Sequence, residues 1–196
     1  MRKEKLDELN SYIEELKVIK RELVGEDNKG YIKVKHYNFL LNNNIVIVRD
    51  KIIKGNGNGS AVVTLPVTKK NEVLLVVQPR VVREGVLVEL PAGYIEDNEN
   101  PIESIKRELL EETGYTSNNI KHLSSYYQDQ GCSDAYNYAY LALDCEKIKE
   151  QSLDKDEFIR YFLCDYSEAL ELVDMGYIKD IQSKYTLELS KKYIKR

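Results

Sequence analysis

The sequence predicts an α+β domain built on a mixed sheet, preceded by an extension of one helix and antiparallel strands. Three observations lead there. Strand-like segments come in runs instead of alternating with helices. One sharply delimited helix separates two such runs, and two more helical segments close the chain. A doubly wound fold would need regular strand–helix alternation, so strands in runs point to α+β.

Each element has its own signal. Across 2–24, Leu6, Leu9, Ile13, Leu16 and Leu23 recur at helical spacing, and Gly25 and Gly30 bracket the end. This predicts an amphipathic arm packed on its own domain or on a partner subunit. Strands are expected over 31–41 and 45–53, with Asn42-Asn43-Asn44 as the turn between them. The Gly-rich stretch 55–59 is read as a loop, because no helix pattern follows it as a phosphate cradle would require. Strands follow over 60–67, 72–78 and 86–90. Asn100 as N-cap, Pro101 in the first turn and Glu103 at the third position open a helix, which Gly114 closes. Strands over 121–127, 135–144 and 157–164 come next, then helices over about 165–176 and 179–194. The boundary is drawn at 58/59: residues 1–58 form the extension and 59–196 the main domain.

Composition narrows the class. The chain has 196 residues, 42% of them hydrophobic and 32% charged, which suits a globular domain with a sizeable core. The net charge of −4 and the lack of a basic run speak against a nucleic-acid partner. No apolar run reaches membrane-spanning length, and the charged opening segment has no apolar core, so neither a membrane span nor a secretory leader is expected. Cys132, Cys145 and Cys164 are odd in number and include no CxxC pair, as expected of reduced thiols in the cytoplasm.

The chemistry lies between Glu84 and Glu112, where acidic residues crowd both sides of a turn. On the helix, Ile102, Ile105 and Leu109 share a face that should meet the core, and Glu108, Glu111 and Glu112 share another. Like charges four residues apart are unfavourable, and on a surface helix they could simply be a solvated face. The surrounding pattern favours a site. The loop after Gly93 can fold Glu99 back toward the helical carboxylates. Four carboxylates would then offer oxygen ligands to a hard cation, Mg²⁺ or Mn²⁺. Arg107, one turn before Glu111 and beside Glu103, would orient them.

From Gly93 to Tyr115 the segment resembles the Nudix box, GX₅EX₇REUXEEXGU, at every specified position: Gly93, Glu99, Arg107-Glu108-Leu109, Glu111-Glu112, Gly114 and Tyr115. A full match by chance has odds on the order of one in ten million. The resemblance implies an α/β/α sandwich and metal-assisted attack of water on a nucleoside diphosphate linked to another group. It implies metal ligation by Glu108 and Glu112, with Glu111 as ligand or base and Glu99 as structural or outer ligand.

The flanks resemble the ADP-ribose pyrophosphatases of that family. Glu89-Leu90-Pro91-Ala92-Gly93 matches their lead-in, which implies a metal contact from the Ala92 carbonyl and places Glu89 at the substrate. Val76-Val77-Gln78-Pro79-Arg80 resembles the strand whose arginine holds phosphates, so Arg80 and also Arg83 are candidates. Gln130-Gly131-Cys132-Ser133-Asp134 aligns with a Pro-Gly-x-Ser substrate loop, giving Gly131 and Ser133. Gln130 stands where the proline would be, which leaves room for another nucleotide sugar or dinucleotide. The loop around Glu157 resembles the one that brings a catalytic carboxylate over the site, with Asp154 and Asp156 as rivals. The catalytic candidates are therefore Glu111, Glu157 and Arg107. The expected activity is Mg²⁺-dependent cleavage of ADP-ribose or an ADP-sugar to AMP and a sugar phosphate. A GDP-sugar or NADH hydrolase and a non-catalytic nucleotide sensor are the alternatives. The extension implies a homodimer by analogy.

Outside this pattern, Tyr136, Tyr138 and Tyr140 alternate along one strand, as core, a subunit contact or a stacking surface for a base. His36 and His122 have no ligand-like neighbour in sequence and are expected to be structural or surface residues. Cys132 has no base placed to activate it.

Overall fold

The structure is a computed structural model that describes residues 18–55, 57–80, 82 and 85–194. These fall into two compact units. One contains the chain up to Asn58 together with Asp129–Ala135, and the other contains Gly59–Gln128 and the chain from Tyr136 onward.

The first unit is an antiparallel meander of β1 (Val18–Lys29), β2 (Ile32–Leu41) and β3 (Val46–Lys54), in the order β1-β2-β3. Part of the expected helical arm is overturned here. Residues 1–17 lie outside the described residues, and Val18–Leu23 is strand, with Leu23 opposite Tyr37 and Val18 opposite Leu41. The helical spacing ran through Leu23, but β-branched Val18 and Ile19 and an available β2 edge favour the ladder, since strand formation is decided by cross-strand neighbours more than by local preference. The asparagine turn forms as expected. Asn44 takes φ 65, a left-handed conformation that asparagine tolerates, and the Asn43 side chain accepts a hydrogen bond from the Ile45 amide at 3.2 Å. Segment Asp129–Ala135 is tied to β3 by the Ile52 amide donating to the Cys132 carbonyl at 2.7 Å and by a Lys51–Asp134 ion pair.

His36 is better partnered than the sequence suggested. It stands opposite Asp50 in the β2–β3 register, with Nδ1 2.7 Å from the Asp50 carboxylate and Nε2 3.7 Å from Asp27. The Asp50 hydrogen bond raises the imidazole pKa above its ordinary value.

The second unit holds a mixed sheet. Its main path runs β11 (Arg160–Cys164), β5 (Val73–Arg80), β4 (Ala61–Thr68), β10 (Tyr136–Lys147) and β8 (Tyr115–Thr116). Off this path, β6 (Gly85–Glu89) pairs with β5, β7 (Ala92–Tyr94) with β4, and β9 (Asn119–Tyr127) with β10. β10 runs parallel to β4 and antiparallel to β9, which makes the sheet mixed. The helices are α1 (Pro101–Thr113), α2 (Tyr166–Asp174) and α3 (Ile181–Ser190).

Both faces of the central strands are covered, so β4 reads as an almost unbroken buried run. Alternate side chains go to opposite faces. Val62 and Tyr140 meet Ile105 of α1, while Ala142 and Cys145 meet Leu109. Val63, Leu65, Val73, Leu75, Ala139 and Leu141 pack with Ala169 of α2, Leu187 of α3 and Ile178 between them. Helices on both faces of one sheet give the α/β/α sandwich that was expected. Two details differ. Ile102 was placed on the core face of α1, yet it is 46% exposed and joins neither cluster. Tyr140 is buried in the core, whereas Tyr136 continues outward into edge-to-face contacts with Tyr127 and Tyr138. No helix among the described residues is long and apolar enough to cross a membrane.

The His36 pair gives a pH test. A raised folded-state pKa means the protonated imidazole is favoured in the fold, so the ion pair is complete at low pH and is lost as pH rises through that pKa. NMR titration of His36 should give a value above 6.5, and Asp50→Asn should bring it back toward 6.5. A titration that Asp50→Asn leaves unmoved would refute the pairing.

Candidate active site

The site begins where β6 ends. Pro91 cannot donate to a ladder, but its carbonyl accepts from the Thr64 amide at 3.0 Å, and the chain re-enters the sheet as β7 with Gly93 opposite Val62. Glu89 at the end of β6 is buried. Arg80 holds it through two guanidinium hydrogen bonds, Nε at 2.8 Å and a shorter one from Nη2, and Gln78 Nε2 adds a third at 3.2 Å. The Leu90 amide donates to Ser183 Oγ of α3 at 2.9 Å, fixing the lead-in from the other side.

A turn at Glu96–Glu99, with Asn98 at φ 67, then delivers α1. Its capping box is complete: Asn100 accepts from the Ile102 and Glu103 amides, and Glu103 accepts from the Asn100 amide at 3.3 Å. Glu103 is therefore occupied with the cap and is no partner of Arg107. At the other end Gly114 adopts φ 78 and lies against the Lys149 carbonyl, so neither the backbone conformation nor the space admits a side chain.

Arg107 organises the acidic residues. Its five N–H donors meet five acceptors. Nε and Nη2 grip Glu99 at 3.0 and 2.9 Å, and Nη2 also reaches the Tyr94 carbonyl at 3.1 Å. Nη1 binds Glu108 at 2.8 Å and Glu111 at 3.1 Å. Paired with Arg107 and bonded by Ser104, the Glu99 carboxyl is held down at about 2. This makes Glu99 the anchor of the arginine.

Glu108 and Glu112 have a different environment. A Cβ on Gly93 would coincide with the Glu108 carboxylate, so the first glycine of the box supplies the space that carboxylate fills. Burial pushes the Glu108 carboxyl up to about 7, against the pull of Arg107. Glu112 is 3% exposed and accepts a hydrogen bond from the Ala92 amide at 3.1 Å. Burial, then the neighbouring charge of Glu108, raises its carboxyl well above the ordinary range. Glu111 is the most exposed of the three helical carboxylates. The expected four-way convergence thus resolves into two groupings: Glu99, Glu108 and Glu111 around Arg107, and Glu112 on the Ala92 amide. Among the described residues no group of three Asp, Glu, His or Cys is gathered closely enough to hold a metal ion as it stands. A largely shielded, like-charged pair one turn apart is nevertheless a donor set whose mutual repulsion a divalent cation would relieve.

The remaining candidates are spread more widely. Glu157 is exposed, and its carboxylate accepts from the Asp154 amide at 3.1 Å, yet its charge is felt by both Glu108 and Glu112. Gly131 and Ser133 lie on the Asp129–Ala135 segment of the first unit, where the Ser133 hydroxyl accepts from the Ala135 amide at 3.2 Å. Arg83 lies outside the described residues. The Cys132 thiol is directed at Asp129 at 2.9 Å, which raises its pKa and makes it a poorer nucleophile. His122 is an aromatic neighbour of Tyr138 and Tyr140 that also bonds Ser125 at 2.7 Å. Sequence reasoning missed Gln78, Ser104, Gln151 and Ser183, which hold the site in place. Lone polar residues carry no spacing signal, and only their partners across the fold mark them.

Two substitutions test this geometry in the metal-free protein. Glu112→Gln keeps the shape and the acceptor for the Ala92 amide but removes the buried charge, so thermal unfolding at neutral pH should occur at higher temperature, with a gain on the order of 1 kcal/mol. Gly93→Ala forces the Glu108 carboxylate aside and should destabilise by about 1–3 kcal/mol. A Glu112→Gln variant less stable than the parent would show that the carboxylate is not repelled there.

The comparisons with known proteins point to one family. The NUDIX domain family model matches residues 57–183. The chain is 33% identical over 139 residues to an ADP-ribose pyrophosphatase of Bacillus subtilis, covering 70% of this chain and 74% of that protein. It is 30% identical over 168 residues to a GDP-mannose pyrophosphatase of Salmonella paratyphi B, covering 82% and 87% respectively. A crystal structure of an ADP compounds hydrolase superposes with TM-score 0.73 at 18% identity, covering 91% of this chain and 94% of that one. With a complete box on a capped helix, the sandwich around it and a family model spanning well over half its length, the chain belongs to the Nudix family of pyrophosphohydrolases.

Proposed function

We propose that this protein hydrolyses the diphosphate of ADP-ribose or an ADP-sugar with Mg²⁺, giving AMP and a sugar phosphate; Mn²⁺ would serve as an alternative ion. The observation that carries the proposal is the pairing on α1 of half-buried Glu108 with buried Glu112, held against Gly93 and the Ala92 amide. Two carboxylates buried this way are costly without a cation and useful with one.

Glu108, Glu112 and Glu111 are assigned as the principal ligands, with the Ala92 carbonyl completing them and Glu99 acting from behind through Arg107. When bound, the ion would neutralise phosphate oxygens and lower the pKa of the attacking water. Arg107 fixes Glu108 and Glu111 on one side of the helix, so little reorganisation is needed when substrate arrives. Glu157 is assigned as the group that takes the proton from water, with Glu111 as the alternative. Glu157 is exposed, and its charge already reaches the site. Arg80, its guanidinium plane set by Glu89, is assigned to the phosphates, together with Arg83. Gly131 and Ser133 are assigned to the sugar side. A homodimer formed through residues 1–58 is part of the same proposal, and the free thiols fit a reducing cytoplasm.

The Bacillus subtilis relative and the structural neighbour support an adenosine substrate. The Salmonella relative supports a second assignment, a GDP-sugar, and Gln130 in place of proline in the substrate loop is compatible with it. A pure nucleotide sensor would have no task for the complete carboxylate set.

ADP-ribose, ADP-glucose, GDP-mannose and NADH offered with Mg²⁺, and products identified by mass, decide between these. AMP with ribose 5-phosphate is the expected result, and no turnover of either ADP-sugar would exclude the first assignment. On the accepted substrate, Glu112→Gln should lower kcat by on the order of a hundredfold or more while the circular dichroism spectrum is retained. Near-normal kcat in that folded variant would mean the metal ligands are misassigned.

A further inference from the structure

The segment 148–159 joins β10 to β11 and carries Glu157. Its proximal part is tied to the end of α1. The Ile148 amide donates to the Gly114 carbonyl at 2.9 Å, and the Ser152 amide donates to the Glu111 carbonyl at 2.9 Å. The last carbonyls of a helix have no partner within it, so these bonds fill acceptors that would otherwise need water. Its distal part is anchored by Ile159, which is 2% exposed and packs with Leu74 and Val76, and Leu153 packs against the same cluster. Between these anchors, 154–158 is exposed and closes only on itself, with the Glu157 amide donating to the Asp154 carbonyl at 3.1 Å.

One side chain joins the two anchors. Gln151 Nε2 donates both to the Glu112 carbonyl and to the Ile159 carbonyl, the latter at 3.3 Å. It thus bridges the backbone of a metal-ligand candidate on α1 and the residue just before β11. Without it, the two ends of the exposed loop are held by separate elements. With it, they are held as one stem, and the reach of the tip is set from a fixed base.

We propose that Gln151 is a positioning residue that sets the reach of Glu157 toward the Glu108–Glu112 pair. It rests on the assignment of Glu157 as the group that takes the proton from water. The essential property is donation to two carbonyls, which an amide provides and a thioether or carboxylate of similar length does not.

Gln151→Met keeps the length and removes the donors, so it separates hydrogen bonding from packing. With ADP-ribose and Mg²⁺, or with GDP-mannose if that is the substrate turned over, Gln151→Met should lower kcat about tenfold at unchanged KM. Gln151→Glu should do no better. Glu157→Gln should lower kcat further, and adding Gln151→Met to it should cause no additional loss, because both act through one group. Hydrogen exchange in the metal-free protein gives a second readout: Gln151→Met should increase exchange at 152–159 while α1 stays protected. Normal kcat in Gln151→Met beside an impaired Glu157→Gln would overturn the positioning role alone. Normal kcat in Glu157→Gln would overturn the Glu157 assignment and the tether's purpose with it. A full tenfold loss from Gln151→Met in the Glu157→Gln background would show that Gln151 acts on α1 and not through Glu157.

Discussion

Two carboxylates one turn apart on a helix repel each other, and partial or full burial removes water that would soften that repulsion. Glu108 and Glu112 are in this position, and the structure around α1 compensates for it. Gly93 yields its side-chain space to Glu108, and the Ala92 amide donates to Glu112. Arg107 spends all five donors on three carboxylates and the Tyr94 carbonyl. These contacts stabilise the arrangement without removing its bias toward binding positive charge. Burial is the largest cause of the raised pKa at both carboxylates, and at Glu112 the charge of Glu108 adds to it.

The scaffold has to be rigid for that bias to be useful. Ile105 and Leu109 seat α1 on β4 and β10, a capping box and a left-handed glycine fix its two ends, and Leu90 is bonded to Ser183 on the far side of the sheet. The carboxylates therefore sit on a helix whose register cannot drift. Glu157, proposed as the group that takes the proton from water, is left on an exposed loop, where sites usually keep their mobile parts. Conserving geometry on the helix and adaptability on the loops would suit one family acting on both ADP-ribose and GDP-mannose, as the names of its relatives suggest.

How much was legible in advance differs from residue to residue. The box was visible because its positions are spaced by helix geometry: Arg107, Glu108, Glu111 and Glu112 fall on one helical surface whatever the fold around them. The cap at Asn100 and the stop at Gly114 were legible for the same reason, being set by local backbone chemistry. The meander was harder. Val18–Leu23 carried a helical spacing and became strand, because the deciding partner, β2, is more than a dozen residues away in sequence. Ile102 shared the apolar face of α1 on a wheel, but a wheel does not show which turns have strands beneath them.

By itself, the sequence determined the identity of the functional groups and their order along α1, since both depend on short-range spacing. It also determined the fold class, through strands in runs separated by one capped helix and closed by two more. Only the tertiary structure decided how the acidic residues divide. Glu99 became an anchor held down by Arg107, Glu112 became a buried carboxylate on a strand amide, and Glu157 came within electrostatic reach of Glu108 and Glu112. Gln151 gained its place in the same way. Charge, burial and hydrogen-bond partnership depend on residues brought together from distant parts of the chain, and no local pattern encodes who those neighbours will be.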